Sequence, residues 1–142
     1  MSTFEDLRAF QRAMDLTADI YNVTQAFPRT ELYGLTSQLR RASSSVVSNI
    51  AEGQGQLTYG EWRNHLGRAR GSLYEVQAQV LLSAKLGLLP QSIATHLQKQ
   101  VQVAASELAG LIRWVRKREA RAKAIRGNTV RTTDNRQLTT SQ

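Results

Sequence analysis

From Trp62 to Ser83 the residues Trp62, Leu66, Ala69, Leu73, Val76, Val80 and Ser83 recur at alternating spacings of four and three. That rhythm keeps one face of a helix apolar over its whole length, and it fits no strand, whose faces alternate every second residue. A helix with such a stripe needs other helices to bury it. Three further segments supply them. Leu32, Leu35, Leu39, Ala42, Val46 and Ile50 mark one, and Ile93, Leu97, Val101, Ala104, Leu108, Leu111 and Val115 mark another. The first segment carries two adjacent stripes: Leu7, Phe10, Met14, Thr17, Tyr21 and Thr24, then Leu16, Ile20, Val23 and Phe27. So wide a face suits a bundle interior plus part of a subunit contact. Short links make sequential helices antiparallel neighbours, so the pattern predicts an all-α, antiparallel up-down-up-down four-helix bundle.

Local signals set the expected boundaries. Thr3 with Asp6 and Thr58 with Glu61 both form the capping-box pattern, predicting helix starts there. Pro28 disfavours helical backbone at Phe27, so the first helix should stop near Ala26. Thr30 is then the expected cap of the second helix, with Glu31 placed against its positive end. Gly53 should close that helix in the left-handed conformation, with Gly55 loosening the loop. Gly67 and Gly71 inside the third helix each cost about 1 kcal/mol relative to alanine, which suggests a close helix approach there and at Ser72. Gly87, Leu88, Leu89 and Pro90 read as a C-cap, a hydrophobic clasp and a first-turn proline.

Charge is distributed unevenly along the 142 residues. Residues 1–112 hold ten Lys and Arg against nine Asp and Glu, whereas residues 113–142 hold nine against two. The net charge of +8 therefore belongs almost wholly to the C-terminal end. This divides the chain into a bundle over residues 1–120 and a basic tail over 121–142, expected to be disordered from Gly127 because its polar residues show no apolar period. A near-neutral body with a cationic extension suggests a polyanionic partner held by phosphate contacts. A solvated tail that aids solubility is the plainer reading. The chain has no cysteine, hence no disulfide framework, thiolate zinc site or thiol nucleophile. Its polar N-terminus and lack of a long apolar run predict a soluble, cytoplasmic protein with no membrane association.

Catalytic chemistry finds little support. His65 and His96 each stand without a ligand partner at helical spacing, so no metal is expected. Ser43, Ser44 and Ser45 lack a base and sit among small packing residues. Gly53-Gln54-Gly55 lacks the Gly-Lys-Ser/Thr ending of a phosphate loop and follows a helix instead of a strand. Glu52 is unusual, a carboxylate at the negative end of its helix. It should pair with an arginine or accept hydrogen bonds from the start of the third helix, with Asn49 bonding loop backbone. Trp114, among Arg113, Arg116, Lys117 and Arg118, could stack on a base while the cations neutralise phosphates, or could simply pack at helical spacing.

Several runs together carry a family resemblance: Phe27-Pro28, Glu31-Leu32-Tyr33-Gly34-Leu35, Leu39-Arg40-Arg41-Ala42, Ser45, Ser48-Asn49-Ile50-Ala51-Glu52-Gly53, Glu61-Trp62 and Ala69-Arg70-Gly71-Ser72-Leu73-Tyr74-Glu75. Across roughly residues 4–90 the chain resembles the four-helix-bundle proteins encoded by intervening sequences of bacterial 23S rRNA genes. That family includes the accessory variability determinant (Avd) of diversity-generating retroelements. The resemblance implies an up-and-down bundle that assembles into a pentamer and, in the retroelement branch, binds nucleic acid and a reverse transcriptase. Arg40, Arg41, Ser45, Asn49, Glu52 and Gly53 belong to its structural signature, with no catalytic role attached.

These readings converge on a non-enzymatic homo-oligomer without cofactor that binds RNA or DNA. Its expected contacts are Arg113, Trp114, Arg116, Lys117, Arg118, Arg121, Lys123 and Arg126, with Arg63, Arg68 and Arg70 secondary. It would act as an accessory scaffold beside a reverse transcriptase or as an orphan intervening-sequence protein of structural or RNA-binding role.

Overall fold

A computed structural model describes residues 4–139. Four helices account for most of them: α1 (Arg8–Thr24), α2 (Leu35–Gln54), α3 (Tyr59–Lys85) and α4 (Gln91–Thr139). Short 3₁₀ turns at Phe4–Asp6 and Arg29–Glu31 precede α1 and α2, and no strand occurs among the described residues. Each helix packs on its two neighbours in the ring order α1, α2, α3, α4, and among the described residues only these neighbouring helices bring their backbones close together. Cross-links give the directions. Gln79 Nε2 donates to Gln38 Oε1 near the start of α2, while His65 meets Asn49 near its end. Gln98 Nε2 donates to the Gln77 carbonyl, and Arg63 reaches Glu119 much further along α4. These pairings run antiparallel, so the architecture is the expected four-helix bundle.

The core follows the stripes. Leu16 and Ile20 from α1, Leu39, Val46 and Ile50 from α2, Leu66, Val76 and Val80 from α3, and Leu97, Leu108 and Val115 from α4 are almost wholly buried. In α1 the second stripe faces inward with Ala9 and Ala13, joined by Leu7 and Thr24 from the ends of the first stripe, while Met14 and Tyr21 in its middle remain exposed. Leu32 also falls outside the seam, because α2 begins only at Leu35.

Several boundaries differ from the sequence expectation for local reasons. Thr3, the expected first cap, lies outside the described residues; α1 starts at Arg8 behind Leu7, which makes no side-chain cap. The first helix ends at Thr24, two residues before Ala26, with Thr24 Oγ1 donating to the Ile20 carbonyl. Thr30 does not cap α2. The 3₁₀ turn at Arg29–Glu31 intervenes, and the Glu31 carboxylate instead accepts the Leu35 N–H at 3.2 Å. Thr58 does cap α3, its hydroxyl accepting the Glu61 N–H. Gly87 closes α3 at φ +77° while the Leu88 N–H bonds the Ser83 carbonyl. The expected disorder from Gly127 is replaced by helix, and α4 crosses residue 120 without a break to reach Thr139. Lack of an apolar period removes burial, not backbone hydrogen bonds. No proline interrupts this stretch, Ala120, Ala122 and Ala124 favour helix, and Lys123 pairs with Glu119 one turn back.

The glycines reverse their expected roles. Gly53 is not left-handed; it lies inside α2, buried against α3. A Cβ built on it would sit 2.8 Å from Trp62 Cδ1 and 3.2 Å from His65 Cβ. Gly67 and Gly71, expected at a close approach, face open space: a Cβ on either would meet nothing within 4 Å. Ser72 alone makes the expected contact, donating to Ser45 Oγ at 2.9 Å.

The same substitution should therefore act oppositely at these sites. Gly67→Ala and Gly71→Ala should each stabilise by about 1 kcal/mol through helix propensity. Gly53→Ala should destabilise by roughly 1 kcal/mol or more, because displacing the indole outweighs the propensity gain. Urea denaturation of the three single variants reads both signs.

Candidate nucleic-acid interface

Four of the signature residues, Ser45, Asn49, Glu52 and Gly53, lie on the seam between α2 and α3. Their spacing along α2 places Ser45, Asn49 and Glu52 toward α3, and a run of polar contacts crosses between the helices. Ser72 donates to Ser45 Oγ, and Asn49 Nδ2 donates to both the Ser45 carbonyl and Ser45 Oγ. Asn49 Oδ1 lies 3.2 Å from His65 Nδ1, with Glu52 Oε2 at 3.6 Å from the same nitrogen. Two oxygen acceptors around Nδ1 mean that this nitrogen carries the hydrogen. Glu52 thus lies beside a histidine of α3, where an arginine or hydrogen bonds from the start of that helix were expected, and Asn49 bonds helix and histidine where loop backbone was expected. The Glu52 side chain is 61% exposed, so water solvates the carboxylate at this helix end while α3 brings His65 beside it. Arg40 pins the other end of α2: its Nε donates to Thr24 Oγ1 at 3.0 Å and its guanidinium lies over the Tyr21 ring. Arg41 is exposed.

At the opposite end an aromatic junction joins three helices. Trp62 rests on Gly53 of α2, stacks on Tyr59 and meets Trp114 of α4 edge-on at 5.5 Å. Trp114 is half-buried against the core, so its ring packs, and the Arg118 guanidinium covers it at 4.8 Å. Just beyond, Glu119 accepts from Arg63 Nε at 3.0 Å and from Lys123 Nζ at 3.1 Å. Hydrogen bonds from Arg63 and then Lys123 hold its carboxyl below the ordinary carboxylate range.

This geometry sorts the expected contacts. Arg63 and Lys123 spend their charge on Glu119, and Arg118 lies on an indole. Arg113, Arg116, Lys117, Arg121 and Arg126 are exposed on α4. None of these five forms an ion pair among the described residues. Arg68 is exposed on α3 and stands apart from them. Arg70 joins them across a groove of about 360 Å³ between α3 and α4, whose rim holds Arg70, Arg113 and Arg116. Its floor includes Leu73, Leu108 and Ile112. Sequence reasoning missed Tyr74 on this rim, although its four-residue offset from Arg70 was legible; the guanidinium lies 5.7 Å from the ring centre. It also missed Glu119, whose pairing with Lys123 one turn later was equally readable. No group of three or more potential metal ligands gathers among the described residues, and none of their helices is long and apolar enough to cross a membrane.

Comparison with known proteins agrees with the fold. The family model of the 23S rRNA-intervening sequence protein matches residues 5–110. A crystal structure of a protein of unknown function from the S23 ribosomal protein family of Bacteroides thetaiotaomicron superposes with a TM-score of 0.68 at 14% identity, over 74% of this chain and 95% of that one. No curated protein matches the chain.

Removing the amide in Asn49→Ala should cost roughly 1 kcal/mol of folding stability, since it removes the hydrogen bonds to Ser45 and His65; chemical denaturation measures it. Glu119 gives a pH-dependent outcome. A carboxyl held lower in the folded state stabilises at neutral pH and loses that contribution as pH falls through its lowered range. Thermal melts of the wild type and Glu119→Gln should therefore differ at neutral pH and converge on acidification.

Proposed function

This chain belongs to the 23S rRNA-intervening sequence protein family, and from that premise we propose that it is a non-enzymatic, homo-oligomeric nucleic-acid-binding protein that grips phosphates with the outward face of α4. The observation that carries this reading is the set of cations Arg113, Arg116, Lys117 and Arg121, all exposed on one helix and without an ion pair among the described residues. Arg113, Lys117 and Arg121 lie four residues apart and so share a face. Successive members rise about 6 Å along the axis, close to two phosphate steps of about 3.4 Å on one strand.

Assembly would multiply this grip, because linked weak sites act at high effective concentration when they can engage one strand together. Its support is the exposure of Leu32, Tyr33, Leu82 and Leu86. These belong to the end of the bundle where α2 starts and α3 stops, opposite the end where α4 emerges. Contact between copies there leaves the cations open. A reverse transcriptase, implied by the resemblance to the retroelement branch, would join this arrangement without altering the phosphate grip.

The combined variant Arg113→Glu, Lys117→Glu, Arg121→Glu should bind structured RNA more weakly and lower the slope of log affinity against log salt by about one unit per lost contact. Its melting temperature should stay near that of the wild type, since all three side chains are exposed. Light scattering of the wild type with and without RNA at two salt concentrations reads mass and binding together. A monomer that ignores RNA and DNA at low salt would overturn the proposal.

A further inference from the structure

The groove between α3 and α4 combines features that a phosphate grip does not need. It has an apolar floor, an aromatic ring and two side-chain amides, Gln77 and Gln102, in addition to three guanidiniums. We infer that it is a binding site for an unpaired nucleotide, with the phosphate at Arg70, Arg113 and Arg116 and the base toward Tyr74, Gln77 and Gln102. Because α3 and α4 are antiparallel, Arg70 lies beside Arg113 and Arg116 at one end, and Gln77 lies opposite Gln102 toward the other. The groove is therefore polarised in the same sense as a nucleotide: anion-binding at one end, flat and hydrogen-bonding at the other.

Its chemistry separates the occupants. Among the described residues no carboxylate lines it, so the charge calls for an anion. A duplex presents phosphate and sugar outward and keeps its bases stacked, leaving nothing flat or apolar to cover Leu73 and Ile112. A second copy of this face offers three more guanidiniums and, among the described residues, no carboxylate to neutralise them. An unpaired base satisfies every part. Tyr74 is 55% exposed with a guanidinium 5.7 Å from its ring centre, so a base can stack on its exposed part. Side-chain amides offer a donor and an acceptor together, as base edges require. A volume of about 360 Å³ falls within the range of small-molecule sites. As a site within a strand this inference rests on the proposed phosphate grip; as a site for a free nucleotide it stands apart from it.

The test uses the full chain with three probes: a short fluorescein-labelled oligothymidine strand, a labelled duplex of equal length, and adenosine monophosphate followed by calorimetry. Tyr74→Ala should weaken strand binding about tenfold while duplex binding changes by less than about twofold, and Tyr74→Phe should keep wild-type affinity. Gln77→Ala should weaken the strand in the same direction. If Tyr74→Ala and Gln77→Ala leave strand affinity unchanged while the α4 charge reversal lowers it, the nucleotide site is overturned and the phosphate grip stands. If neither strand nor duplex binds, the phosphate grip fails. Tyr74-dependent binding of the monophosphate then supports a free-nucleotide site, and its absence overturns that too. A change of mass in light scattering of Tyr74→Ala would mark the groove as a contact between copies and overturn the inference.

Discussion

The cationic end of the molecule depends on one steric condition: Gly53 has no side chain where the ring of Trp62 lies. Because α2 can come so close, the indole fills the space between α2 and α3 and still reaches Trp114 on α4. The register of α4 against α3 is thereby fixed at the level where α4 leaves its neighbours. Arg118 on the second indole and Arg63 on Glu119 extend the same register by one further turn. With those residues held, Lys117 and Arg121 are exposed on α4 and Arg113 stands on the rim of the groove beside α3.

The two seams flanking α3 are built on opposite chemistry. Toward α2, small and polar side chains close the seam with hydrogen bonds between Gln79 and Gln38, Ser72 and Ser45, and His65 and Asn49. Each such bond contributes on the order of 1 kcal/mol net, so their value lies as much in fixing one pairing of the helices as in stability. Toward α4, Arg70 and Tyr74 stand opposite Ala105 and Ala109. Long side chains that stay in solvent facing short ones leave volume unfilled, and the groove follows.

How far the sequence reveals this depends on the separation of the partners. The stripes through Leu39 and Leu73 were readable because helical period reports burial directly, and the Thr58 cap because it bonds three residues away. Pairings across the bundle leave no such trace. Asn49 and His65 are 16 residues apart and Arg63 and Glu119 are 56, and nothing local marks either pair. The glycines mislead for a related reason. A glycine in a helix announces a cost but not its cause, so Gly67 and Gly71 suggested a contact that belongs to Gly53. The length of α4 was hidden because its last turns are held by backbone bonds and by residues such as Thr132, whose hydroxyl donates to the Asn128 carbonyl, with no burial to give a period.

The chain contains two tryptophans, and both sit at this junction, edge to face, one of them beneath a guanidinium. Tryptophan emission from the whole protein, excited apart from the four tyrosines, is consequently the emission of a single spot. A ligand that draws Arg118 off its ring, or a shift of α4 that parts the pair, would register as a spectral change in unlabelled material.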